Sequence, residues 1–206
     1  MNAVLSSPAP HVIDVIDQLT GITPSSALDR LRAQREQART QAQQSYLALF
    51  APAEPVASHF DIADRFAVAT FVAGLHGQPD VARFYAEALA GQGVAKAIEA
   101  EVARGAAQGP YGRYPEGPLS VEDEAGPVYT VDAAHRAVLG ERLSAALVHA
   151  HLLVFHPRDA SPAALQALLD AGWRTTEIVT LSQLVAFLAF QIRVVIGLRA
   201  LATPSA

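Results

Sequence analysis

The sequence predicts an all-α protein. Three observations carry that reading. Apolar residues recur at helical spacing, aromatics make up only 7% of the chain while alanine dominates the apolar fraction, and proline, glycine and capping residues punctuate the apolar runs. Alanine loses little on entering a helix, whereas strands favour branched and aromatic side chains, which here do not gather into alternating runs. At 206 residues the chain can bury a core in one compact unit without disulfides or a structural metal.

Four stretches follow in order. Residues 1–24 read as a proline-punctuated N-terminal arm with a short helical piece around His11 to Leu19. Residues 25–106 form an N-terminal helical half. Thr23-Pro24 is its start signal, and one helix is expected from Ser25 to Phe50, with Arg30, Arg32, Arg35, Glu36 and Arg39 on a solvated face. The loop PAEPVASH at 52–59 stops it, since its two prolines cannot continue a helix. Asp61 or its neighbour is then expected to cap a helix through RFAVATFVAGL at 65–75, whose nearly continuous apolarity implies burial on most sides. A further helix runs from Pro79 to Leu89 and stops at GQG. Another runs from Val94 to Ala106, with Lys96, Glu99, Glu101 and Arg104 as exposed decoration.

Residues 107–129 are rich in proline and glycine and show little periodicity, so they read as an irregular connector. Tyr111, Arg113, Tyr114 and Tyr129 give it ligand-contact potential, against the plainer reading of a surface connector or dimer arm. Residues 130–201 form the C-terminal half. Thr130 is the expected cap of a helix from Val131 to Phe155, Ser161-Pro162 starts a short helix, and Ala171-Gly172 ends it. From Thr175 a long helix follows, with Ile178, Leu181, Leu184, Val185, Leu188, Ile192 and Val195 on one broad face.

Composition excludes several function classes. Fifteen basic and twenty acidic residues give a net charge of −5, without the basic stripe a nucleic-acid binder needs. The chain has no cysteine, so thiolate catalysis, disulfide cycling and sulfur-ligated metals are impossible. No dinucleotide, phosphate-loop, zinc-protease or hydrolase-elbow signature occurs, so no cofactor is expected. The N-terminus lacks a basic segment followed by an apolar one, and a cytoplasmic location is expected. The apolar stretch 181–198 carries Gln183, Gln191 and Arg193, which favours a core or interface helix over a membrane span.

Histidine is the one remaining residue type with an unusual arrangement. His149 and His156 are seven apart, the spacing of one helical face, with His151 pointing elsewhere and Asp159 just after the turn. His76 ends the comparable apolar helix of the first half. His149, His156, Asp159 and Glu141 are candidate catalytic residues, and His76, Arg142 and Tyr114 candidate ligand contacts. The histidine spacing matches no metal signature, so no metal site is assigned. Buried histidines satisfied by backbone carbonyls are the competing explanation. Arg65 and Arg142 read as structural cations needing an acidic partner from Asp64, Glu141 or Glu177.

The halves echo one another. Arg65-FAVATFVAGLH, a break, ARFYAEAL and Ala90-Gly91 parallel Arg142-LSAALVHAHLLVFH, a break, AALQALL and Ala171-Gly172, which suggests an internal duplication. The segment 142–199, above all ALQALLDAGWRTTEIVTLSQLVAFLAFQIRVVIGL, resembles the alkylhydroperoxidase D-like and carboxymuconolactone decarboxylase-like helical proteins, with residues 61–91 as a weaker copy. The resemblance implies the fold of that family and a homo-oligomer. It places the family's Cys-x-x-Cys pair near Pro157 and Ala160, its assisting histidine near Ala164, and its glutamate near Ala145, with Glu141 as a displaced remnant. None of these residues can cycle peroxide chemistry. The resulting expectation is a redox-inactive relative that binds or transforms a small organic molecule without thiols, the alternative being an accessory oligomeric protein with no active site.

Overall fold

The structure, a computed structural model, describes residues 13–52 and 60–202. The fold is all-α. Among the described residues there are nine α-helices and no strand: α1 (Val15–Thr20), α2 (Ala27–Ala33), α3 (Glu36–Phe50), α4 (Ile62–Leu75), α5 (Pro79–Ala86), α6 (Val94–Gly105), α7 (Ala133–Phe155), α8 (Pro162–Asp170) and α9 (Thr175–Ala202). His11 and nearly all of the 52–59 loop lie outside the described residues.

Helix α4 is the centre. Ala67, Val68, Ala69, Phe71, Val72 and Ala73 are all fully buried, because α5, α6, α7 and α9 pack around it. Its start is set by Asp61, whose carboxylate accepts from the Asp64 amide at 2.8 Å. The seven apolar residues expected on one face of α9 are all buried. Its first turn is held by Glu177, which reaches back to accept from the Arg174 amide at 3.1 Å. Both α7 and α9 are long and apolar enough to cross a membrane by length and composition, with 50% and 33% of their apolar windows buried in the protein.

Five expectations about elements are corrected. The helix expected over 25–50 is two helices, parted at Gln34-Arg35, and its cation face is not all solvated. Arg32 is buried and bonded to Asp14 at 2.8 Å and to Asp17, while Arg39 bridges Asp17 and Asp29. This network ties α1 to α2 and α3, and Val15, Ile16 and Leu19 enter the core, so the described part of the arm is a core element. The cap of α7 is Asp132, accepting from the Ala134 amide at 2.8 Å, rather than Thr130. Helix α7 also breaks at Gly140, whose φ of 76° is a left-handed conformation that a side chain would strain.

Glu101 is not surface decoration. It is fully buried at the heart of a polar knot. Tyr129 donates its hydroxyl to Oε2 at 2.7 Å, and the Asp132 amide and His135 Nδ1 meet Oε1 at 3.0 and 2.5 Å, with Arg104 at 3.4 Å. Burial alone would raise the carboxyl pKa, but these donors outweigh it and hold it below the ordinary value. The knot fixes the end of the 107–129 segment, and thus the start of α7, onto α6.

The segment itself is strapped over the C-terminal end of α7. The Tyr111 amide donates to Phe155 O at 2.6 Å, Arg158 donates to Glu122 O at 2.9 Å, and the Arg113 amide donates to Asp159 at 3.1 Å. Two of its glycines are required by close approach. A Cβ at Gly126 would sit 2.2 Å from the Tyr111 ring, and one at Gly112 would sit 2.9 Å from the Asp159 carboxylate.

Candidate functional site

Two adjoining depressions run along α7. The larger, about 500 Å³, lies between α7 and α8 and is lined by Ala145, Val148, His149, Leu152, Ala164 and Leu168, with Arg136, Glu141 and Asp170 at its rim. It forms because small residues face one another: Ala145 on α7 meets Ala164 and Ala167 on α8, where larger side chains would close the gap. The smaller, about 210 Å³, lies under the strap and is lined by Tyr129, His151, His156 and Asp159. Val148 and Leu152 line both.

The structure divides the predicted histidine set. His149 faces the larger cleft and is 5% exposed. His156 belongs to the smaller pocket, because α7 ends at Phe155 and His156 leaves helical geometry at φ −124°, ψ 43°. The one-face expectation for 149 and 156 therefore fails, since it extrapolated helical spacing past the end of the helix. His151 is the true neighbour of His156, with ring centroids 6.1 Å apart. His76 caps the far end of α4, where its Nε2 is buried without a hydrogen-bond partner and burial, then the charge of Arg193, lower its pKa.

His156 and Asp159 are brought together as expected, at 3.0 Å between Nδ1 and Oδ2, and the His156 Nε2 donates to Pro127 O at 3.0 Å. The Pro127 contact holds the strap to the end of α7, while the Asp159 contact closes the turn that follows the helix. The His156 bond leads the causes that lower the Asp159 pKa. His151 donates from Nε2 to Gly105 O at 3.1 Å and stacks on Tyr129 at 4.6 Å. With Tyr111 5.2 Å beyond His156, the four rings form a column from core to surface.

The other candidates have structural employment. Glu141 lines the cleft rim, but its carboxylate is paired with Arg136 at 3.0 Å. Arg142 pairs with Glu177 at 3.3 Å and lies 4.8 Å over Trp173, as its structural reading required. Arg65 differs: it donates to the carbonyls of Phe60 and Leu49 instead of the expected carboxylate. Phe60 and Trp173 meet edge to face at 4.9 Å, so the two arginine-aromatic pairs form one joint between the halves. Tyr114 lies outside both depressions, its ring under Arg158 at 4.2 Å and its amide on Asp123.

Sequence reasoning missed His151 and Ser182, whereas Tyr129, expected among the possible ligand contacts of the connector, does line the smaller pocket. Ser182 sits on α9 opposite His149, 3.2 Å from its Nε2, and donates its own hydrogen to Ile178 O at 2.9 Å. Burial lowers the pKa of both His149 and His151, keeping each ring neutral near pH 7. No signal in a single sequence pairs residues 33 positions apart on different helices. Among the described residues, no three His, Asp or Glu side chains gather into a set able to hold a metal ion.

A third groove, about 600 Å³, lies among α4, α5 and α6. Its ionic groups Arg83, Lys96 and Glu99 are exposed, and its Thr70 hydroxyl is spent on Phe66 O at 2.9 Å.

No family model, curated protein or solved structure matches the chain significantly.

Proposed function

We propose that this protein is a cysteine-free, redox-inactive relative of the alkylhydroperoxidase D-like and carboxymuconolactone decarboxylase-like proteins that binds a small organic molecule between α7 and α8. One observation carries the reading. The cleft is lined by Ala145 and Ala164, the positions at which the resemblance puts the family's assisting glutamate and histidine. With alanine at both, the same place becomes an apolar cavity of about 500 Å³, within the size range of small-molecule sites. The parallel between α4–α5 and α7–α8 supports a duplicated core. Each unit is an apolar helix, a proline break, a short helix and a glycine at positive φ, Gly91 at 80° and Gly172 at 86°.

The test is native mass spectrometry of freshly purified protein beside an Ala164→Phe variant that fills the cleft. A small molecule carried by the wild type, released on denaturation and missing from the variant supports the reading. Bare chain in both, with no uptake of added neutral aromatic probes, refutes it.

A second reading, an accessory oligomeric protein without an active site, is favoured by the outer face of α9. Phe190 and Ile196 are exposed there, and Phe190 and Val194 line an apolar groove with Leu31 and Ala38. Such a patch is the kind of surface that a second subunit covers. Sedimentation of wild type and Phe190→Glu separates the readings: an oligomer lost in the variant while probe binding persists assigns α9 to assembly and leaves the cleft as a site.

A further inference from the structure

We infer that the α7–α8 cleft selects neutral molecules carrying one hydroxyl or N–H donor, which the bare Nδ1 of His149 accepts. This deepens the ligand-binding reading above and rests on it.

The inference follows from counting hydrogens. A serine hydroxyl has one, and that of Ser182 is directed at Ile178 O, 2.9 Å away. Toward His149 the Ser182 oxygen can therefore only accept, so the hydrogen between them belongs to His149 Nε2, at 3.2 Å. A neutral imidazole carries one ring hydrogen, which leaves Nδ1 an unprotonated acceptor. That nitrogen is buried and meets no hydrogen-bond partner in the protein. An orphaned buried acceptor is costly, and a donor on a bound molecule removes that cost.

The surroundings narrow the class. Ala145, Val148, Leu152, Ala164 and Leu168 offer apolar contact to a ring or aliphatic body. The charges at the rim are engaged: Arg136 with Glu141 at 3.0 Å, and Asp170 with the Gln166 amide at 2.8 Å. A carboxylate ligand would set a second acceptor against Nδ1. A plain hydrocarbon would leave Nδ1 unsatisfied.

The test uses three probes of one shape, 1-naphthol, 1-methylnaphthalene and 1-naphthoate, titrated calorimetrically into wild type and His149→Phe. In wild type, 1-naphthol is expected to bind about tenfold more tightly than 1-methylnaphthalene, the worth of one net hydrogen bond, with 1-naphthoate weakest. His149→Phe is expected to level the alcohol and the hydrocarbon. Equal wild-type affinities for these two overturn the hydrogen-bond assignment while leaving the cleft a binding site. No binding of any probe overturns the cleft reading itself, and this inference with it. Nitrogen NMR of wild type labelled at histidine needs no variant to fold: protonated Nε2 and bare Nδ1 are expected at His149, and the opposite tautomer contradicts the inference.

Discussion

Helices α4 and α7 begin from similar sequence and end in different roles. Both are apolar nearly all round, both break at a glycine- or proline-containing turn, and both are followed by a short helix. Helix α4 is wrapped by α5, α6, α7 and α9 until five of its residues have no exposed surface. Helix α7 packs against α4, α6 and α9 on one side, while Ala145, Val148 and Leu152 toward α8 stay only half-buried. Small residues on its other side and on α8 leave a cleft, and a histidine replaces a fully apolar contact there. The difference teaches that an apolar helix does not reveal whether it is core or wall, because that depends on the size of the residues facing it.

The largest expected effect tests the packed side. Phe71→Ala on α4 should cost about 3–5 kcal/mol, whereas Leu152→Ala at the cleft should cost under about 1.5 kcal/mol, both read by urea denaturation. Comparable losses would mean that α7 is packed as tightly as α4. Next, Glu101→Ala should cost about 3 kcal/mol, since it leaves the buried Tyr129 hydroxyl without its acceptor and His135 and the Asp132 amide without theirs. A loss below about 1 kcal/mol would place this carboxylate outside the fold's support.

Acid should act through the buried histidines. His76, His149 and His151 have pKa values lowered from 6.5 by burial, so below pH 6.5 the unfolded chain binds more protons than the folded one. Their contribution to stability is therefore present above pH 6.5 and is lost as pH falls through the lowered values. His149→Phe should flatten part of that loss in melts from pH 7.5 to 5. An unchanged slope would contradict a buried neutral ring. Asp64 acts with the opposite sign. Burial, with Asp61 nearby, pushes its carboxyl from 3.8 up to about 6, so ionisation destabilises the folded state as pH rises through that window. Asp64→Asn should raise Tm at pH 7.5, with the gain vanishing below about pH 4; a gain independent of pH would assign it to the helix start instead.

Much of the architecture is local and was legible. Asp61, Ser161-Pro162 and Ala171-Gly172 act within a turn or two of themselves, and the buried face of α9 follows its helical period. What was not legible depends on distant partners. Glu101 looks like any helix-surface acid until Tyr129 and His135 arrive from 28 and 34 residues downstream. Arg32 looks solvated until Asp14 and Asp17 fold back on it. Gly140 sits inside an apolar run where glycine reads as tolerated, yet its positive φ breaks the helix. For the candidate site, the His156–Asp159 pair was legible from its spacing, whereas the roles of His149 and His151 were set by Ser182 and Gly105 on other helices.

The contrast between the two grooves is tested most directly by mapping amide and methyl NMR shifts during titration with 1-naphthol. The expected result is a saturable set of shifts at Ala145, Val148, His149, Leu152 and Leu168, with Thr70, Ala82 and Val102 unmoved. Shifts centred on the α4–α6 groove, or none at either place, would contradict the assignment of the site to α7 and α8.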